Sequence, residues 1–186
     1  MVRLFIALEL SKLQKKEVGE FQKNVKRHLD NARWVKPDNI HLTLKFLGET
    51  EADKVEPIKE AIDEVCPGFK PFTIRYGESG VFPSERKARV LWVGIQEGYD
   101  SVCNLAGKIE EEMAGLGYKK EKRSFHPHLT IGRLRQATPE INIKKFLSEG
   151  KSFVSSDVII KKVILFESSL TRSGAIYRPL YGKELL

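Results

Sequence analysis

Cysteine is nearly missing: Cys66 and Cys103 are the only two in 186 residues. They form no C-x-x-C pair, and no histidine lies nearby at metal-ligand spacing. Both facts argue against a disulfide framework or a zinc site, and they fit a reducing cytoplasm. Long apolar runs are missing too. Leu4-Phe5-Ile6-Ala7-Leu8 is stopped by Glu9, which leaves it too short for a signal peptide or a membrane span. No stretch rich in Pro, Gly or Ser divides the chain, and no low-complexity tract interrupts it. One bilobal domain over residues 1–186 is therefore expected. Gln is scarce beside abundant Lys and Glu, a composition seen in proteins of hot environments. Acidic residues are outnumbered 25 to 32 by basic ones, for a formal charge of +7 and a pI near 9.3. That balance favours polyanionic partners, nucleic acid first, although a merely soluble basic surface explains the charge equally well.

The remaining composition, 41% hydrophobic and 31% charged, is that of a globular protein with a core. Its most informative feature is a repeat. His41-Leu42-Thr43-Leu44 and His128-Leu129-Thr130-Ile131 share the pattern His, apolar, Thr, apolar, 87 positions apart in a chain about twice that long. On a β-strand, side chains alternate between faces. Each tetrapeptide then presents an imidazole and a hydroxyl together on one face while two aliphatic residues anchor the other. Two similar halves that face each other would bring both histidines to one substrate.

Periodicity supplies the rest of the expected fold. Val2 to Leu10 reads as a strand and Ser11 caps a helix reaching about Leu29, with Leu13, Val18, Phe21 and Val25 on its buried stripe. His28 falls near the end of that helix as a surface residue. Arg33-Trp34-Val35 is a short extended piece, and the first motif strand runs from Ile40 to Leu47, ending at Gly48. Glu51 to Val65 is helical. Phe69 to Phe82 and Arg89 to Ile95 pair as a hairpin, with Gly77 and Gly80 marking bends or bulges. Asp100 to Leu116 is a helix turning Val102, Leu105, Ile109 and Met113 inward. The second motif strand is His128 to Leu134, and a short helix spans Ile141 to Leu147. One or two strands follow in Phe153 to Leu170. A turn at Thr171-Arg172-Ser173-Gly174 precedes a returning strand from Ala175 to Tyr181. The order predicts an α+β protein of two pseudo-symmetric lobes, with mostly antiparallel sheets lining a cleft and helices outside.

Imidazole titrates near neutrality, so one histidine of a pair can take a proton while the other gives one. The hydroxyls of Thr43 and Thr130 can donate hydrogen bonds to the non-bridging oxygens of a phosphate. Two imidazoles and two hydroxyls around a dyad suit in-line attack at phosphorus, and neither motif carries a carboxylate or thiol to complete a metal site. No metal and no other cofactor is expected. A single H-x-T-x is usually an ordinary strand with a satisfied histidine. Two copies at matching points of a near-duplicate are far harder to obtain by accident. His126 shares a face with His128 across Pro127 and is expected to pack or hydrogen-bond at the strand's entry.

The chain resembles the two-histidine (2H) phosphoesterases, and within them the RNA 2′,3′-cyclic phosphodiesterases, also called 2′-5′ RNA ligases. The resemblance rests on Leu4-Phe5-Ile6-Ala7, Arg33-Trp34-Val35, Asn39 through Glu49, Arg89 through Gly94, Phe125 through Arg133, Phe166-Glu167-Ser168 and Ser173 through Tyr177. It implies hydrolysis of an RNA 2′,3′-cyclic phosphate end, tRNA fragments included, to a 2′-phosphomonoester. By the same resemblance His41 is the proton donor to the leaving 3′ oxygen and His128 the acceptor from water. Thr43 and Thr130 hold phosphate oxygens, Arg133 adds charge there, and Phe46 stacks on a base. Strict alternation, however, puts Phe46 and Arg133, each five residues beyond its histidine, on the wrong face. Either the strands bulge or those residues serve the core. Arg123, with Phe125 beside the second motif, extends the expected substrate-binding surface, and Lys119 to Arg123 with Arg86, Lys87 and Arg89 can track a backbone. Two rival readings are a 2′-5′ RNA ligase, the same chemistry reversed, and an RNA-binding module without turnover. A monomer is expected, since no long exposed apolar stripe is evident.

Overall fold

The computed structural model of the protein describes residues 1–171 and 174–186, and its organisation follows from alternation in the first strand, β1 (Val2–Glu9). Leu4, Ile6 and Leu8 point to one side of β1 and enter the main core, while Phe5 and Ala7 point to the other. After β1 come α1 (Lys12–Val25), β2 (Ala32–Trp34), β3 (His41–Thr50), α2 (Val55–Val65), β4 (Phe72–Phe82) and β5 (Val90–Glu97). The chain continues through α3 (Tyr99–Gly115), β6 (Leu129–Leu134), α4 (Glu140–Gly150), β7 (Val158–Ile160), β8 (Lys162–Thr171) and β9 (Gly174–Glu184). The expected turn residues Arg172 and Ser173 lie outside the described residues.

The described strands form one antiparallel sheet in the order β7-β4-β5-β6-β3-β1-β8-β9, with β2 also paired to β6. The two motif strands are neighbours at its centre. They share a single registered pair, Leu42 opposite Leu129, and both of those side chains are fully buried. Burying each leucine contributes about 1.5–3 kcal/mol, so the seam is an apolar weld with motif residues on either side. Each half is thus an antiparallel sheet of its own, and the halves open away from the weld. The two-lobed α+β architecture expected from the sequence is the one observed.

Val18 and Phe21 of α1, Ile58 and Ile62 of α2, Leu105 and Ile109 of α3, and Ile143 and Phe146 of α4 join a single core with Leu42, Leu91, Val93 and Leu129. All four helices therefore pack on one side of the sheet, and the other side is left as an open concave face. Ser11 caps α1 as expected, its hydroxyl accepting from Gln14 N–H at 3.1 Å while the Gln14 side chain accepts from Ser11 N–H.

Four details depart from expectation. Leu13 is 52% exposed, and the buried stripe of α1 starts instead at Gln14, whose amide donates to the Ser156 carbonyl. The α-helix stops at Val25 and closes in a 3₁₀ turn over Lys26–His28. His28, expected at the surface, is half-buried there, with its Nε2 2.6 Å from Glu149 Oε1. Strand β3 runs past Gly48 to Thr50, because Gly48 adopts φ 73° within the strand and absorbs a register shift.

Candidate active site

Carried outward by one residue, the Leu42–Leu129 register sets His41 opposite Thr130 and Thr43 opposite His128. Side chains directly opposite in an antiparallel pair share a face. All four therefore stand on the concave side, His and Thr from each strand interleaved around the dyad. All four are half-buried, so they border solvent while the leucines beneath them do not.

The two imidazoles are held alike. His41 Nδ1–H donates to the Asn39 carbonyl at 2.8 Å, and His128 Nδ1–H donates to the His126 carbonyl at 2.6 Å. A carbonyl oxygen only accepts, so each bond places a proton on Nδ1 and leaves Nε2 as the reactive nitrogen. Asn39 is itself tied down by its side-chain amide, which donates to the Ala175 carbonyl of β9 at 2.8 Å. Burial lowers the pKa of both histidines from 6.5. For His41 the bond to Asn39 opposes that shift and the charge of Lys15 reinforces it. For His128 the bond to His126 opposes it, and the charges of His126 and Arg133 reinforce it.

Both strands bulge at the same point of the motif. Ala7 pairs with Thr43 and Ile6 with Lys45, so Leu44 has no partner. Trp92 pairs with Thr130 and Leu91 with Gly132, so Ile131 has none. One extra residue on one strand reverses the alternation beyond it. Phe46 and Arg133 are thereby returned to the face of the histidines, which resolves the conflict left by strict alternation. Phe46 is 65% exposed, with its ring 6.1 Å from Phe5, so it is not a core residue. Arg133 is exposed and makes no ion pair among the described residues. Opposite it on β2 lies Arg33, a second guanidinium on the same face. Arg123 and Phe125 sit on the exposed loop before β6, and neither touches a histidine ring or makes a hydrogen bond among the described residues.

Several residues around the pair were given no role at the site by sequence reasoning, although Phe5, Trp92 and Tyr177 lie in runs that carry the family resemblance. His41 packs at 4.6 Å on Phe5 and at 5.0 Å edge-on to Tyr177. His128 packs edge-on to Phe82 at 5.0 Å and lies 6.2 Å from Trp92. The Tyr177 hydroxyl is pushed up in pKa by burial, against the pull of Arg133 and Arg3, and so stays protonated as a donor. The placement of Arg33 and Tyr177 beside the pair had no local signal, since it depends on which distant strand each pairs with. Among the described residues no group of three or more His, Cys, Asp or Glu side chains is arranged to hold a metal ion. No described helix is long and apolar enough to cross a membrane.

A duplicated antiparallel sheet with a histidine–threonine pair from each copy at its seam defines a two-histidine phosphoesterase architecture. The chain matches the family model of the LigT like phosphoesterases twice, over residues 8–92 and 93–177, and it belongs to that family. The two matches divide the chain between the motifs as the repeat does. An RNA 2′,3′-cyclic phosphodiesterase of Aquifex aeolicus is 34% identical over 182 residues, covering 95% of this chain and 94% of the relative. The solved structure of Escherichia coli LigT complexed with 3′-AMP superposes with a TM-score of 0.74 at 25% identity, over 99% of this chain and 98% of the other. A solved Thermus thermophilus protein, TT0787, shares the fold with a TM-score of 0.82 at 22% identity, over 98% and 97% of the two chains.

Proposed function

We propose that this phosphoesterase opens the 2′,3′-cyclic phosphate at an RNA end to a 2′-phosphomonoester by acid–base catalysis between its two histidines. The observation that carries the reading is the matched pair of Nδ1 bonds, which leaves two Nε2 atoms free on one face beside two threonine hydroxyls. His128 Nε2 accepts a proton from water as the water oxygen bonds to phosphorus. The P–O3′ bond breaks on the opposite side, and O3′ takes the proton carried by His41 Nε2. Thr43 and Thr130 donate to the non-bridging oxygens, and Arg133 neutralises their charge. Phe46 offers a face for stacking, while Arg33, Arg123 and Phe125 extend the RNA-binding surface. The relatives' names and the chain's charge of +7 support an RNA substrate.

Cytidine 2′,3′-cyclic phosphate turnover by wild type, His41→Ala and His128→Ala tests the reading. Each single change is expected to lower kcat by at least about 10²-fold with the fold intact. Wild-type rates in either variant would remove the mechanism. Binding without any turnover by the wild type would favour an RNA-binding module, and joined RNA ends resistant to 3′-5′ nucleases would favour the ligase.

A further inference from the structure

Polar side chains on the concave face come in rungs, one member from each side of the seam. Thr43 with His128 and His41 with Thr130 are the first two. Beyond them β3 leaves the edge of β6 and β2 takes its place, with Ala32, Arg33 and Trp34 opposite Leu134, Arg133 and Gly132. Ala32, Trp34 and Leu134 pack on the main core, so Arg33 and Arg133 stand on the concave side as a third rung. Arg135 N–H donates to the Asn31 carbonyl at 3.3 Å, which carries the pairing one step further and puts Arg135 on the same side. All three arginines are exposed.

Like charges directly opposite on neighbouring strands are destabilising. Elsewhere in this sheet the position opposite an arginine holds a carboxylate: on β9 Arg178 faces Glu167 of β8 and donates to it at 2.9 Å. Arg33 faces a second arginine instead, and among the described residues Arg33, Arg133 and Arg135 make no ion pair. The row therefore lacks a counter-charge from the protein.

We propose that Arg33 and Arg135, beside Arg133, hold a second phosphate of the substrate, the 5′-phosphate of the nucleotide whose cyclic phosphate is opened. The inference rests on the cyclic phosphodiesterase reading and adds to it an anion subsite one nucleotide upstream of the reacting group. The charge of Arg133 acts on both His128 and the Tyr177 hydroxyl, so this arginine borders the reacting phosphate. From Thr130 to Arg133 is three residues along β6, about 7–10 Å with the bulge at Ile131. One ribose, from its 3′ oxygen to its 5′ oxygen, and the reach of an arginine side chain cover that span. Each guanidinium fork can donate two parallel hydrogen bonds to phosphate oxygens, and neighbouring forks suit a group with several such oxygens. Binding it would also remove the repulsion built into the rung.

Three substrates separate the contributions: cytidine 2′,3′-cyclic phosphate, the same nucleotide with a 5′-phosphate, and the dinucleotide in which that phosphate is esterified to adenosine. Wild type is expected to favour both substrates with a 5′-phosphate in kcat/KM by at least about 5-fold, the worth of two or three exposed charge contacts together. The advantage should shrink by about 0.7 in log kcat/KM per tenfold rise in salt, as for one phosphate of a single strand. Arg33→Gln and Arg135→Gln should each bring the ratio toward one and flatten its salt dependence. Neither should lower the melting temperature, since each removes a like charge from an exposed row. A gain on both substrates assigns the subsite to the RNA chain, and a gain on the 5′-monophosphate alone assigns it to a terminal phosphate. Equal kcat/KM for all three in wild type, a gain confined to the dinucleotide, or an unchanged ratio in the variants would overturn the subsite while leaving the phosphodiesterase reading in place. Turnover of none of them would overturn that reading and the subsite with it.

Discussion

Two backbone carbonyls, Asn39 and His126, hold Nδ1 of each imidazole and leave Nε2 without a bond to the protein among the described residues, and burial disfavours a proton there. Both histidines titrate below 6.5 in the free protein. Catalysis by the pair needs one protonated and one neutral ring, a state most populated between the two lowered pKa values. The kcat/KM profile on cytidine 2′,3′-cyclic phosphate is therefore expected to peak below pH 6.5. Its alkaline limb falls as the acid loses its proton, and its acid limb falls as the base gains one. A maximum above pH 7 would contradict the burial argument. Stability follows the same sign. Between the lowered folded values and 6.5 the unfolded chain binds more protons, so the stability these histidines leave intact above pH 6.5 is lost as pH falls through their folded values. Replacing both with Asn should flatten that acid limb in urea melts between pH 7 and pH 5.

Among the elements, the bulged motif strands do the positioning. Without the unpaired Leu44 and Ile131, Phe46 and Arg133 would face the core. The bulge at Leu44 also turns Lys45 inward, where its side chain is 3% exposed and its ammonium bonds to Glu110 at 2.8 Å and to the Lys119 carbonyl at 2.8 Å. Glu110 in turn accepts from Glu121 N–H at 2.7 Å, so the first motif strand grips the loop that leads into the second motif. Lys45→Met takes the ammonium away from Glu110, which keeps its bond from Glu121 N–H, and from the Lys119 carbonyl, and should cost about 1–3 kcal/mol in urea unfolding. On the other half, a Cβ at Gly80 would fall 2.0 Å from Trp92 Cζ2. Gly80→Ala should displace Trp92 from its place beside His126 and His128, lowering both stability, by about 1–3 kcal/mol, and turnover. Tryptophan fluorescence together with the cyclic phosphate assay reads both effects. The elements themselves were legible: Ser11, the stripe of α3 and the two motif strands all carry local periodicity. The bulges were not, because an unpaired leucine or isoleucine looks in sequence like any other strand residue. Nor was the exposure of Leu13, since the neighbouring Gln14 and Gln22 are buried by distant carbonyls of Ser156, Val35 and Ile131.

At the scale of the whole molecule, duplication supplies two histidines held alike, each by an Nδ1 bond to a backbone carbonyl two residues before it. The repeat was visible in the sequence, and so was the prospect of convergence. Contributions that cross between strands distant in the chain were not, such as Tyr177 of β9 beside His41 and Arg33 of β2 opposite Arg133. Periodicity has no access to which strands become neighbours. The central claim is that His41 protonates a leaving alcohol while His128 serves the attacking water. It is tested most directly by pairing each alanine variant with a leaving group that needs no proton, the 4-nitrophenyl ester of a 2′-deoxynucleoside 3′-phosphate, which has no 2′-hydroxyl to attack in place of water. His41→Ala should lose at least about 10²-fold on cytidine 2′,3′-cyclic phosphate yet recover most of that loss on the nitrophenyl ester, whereas His128→Ala should stay impaired on both. Equal losses by the two variants on both substrates, or recovery by His128→Ala alone, would contradict it.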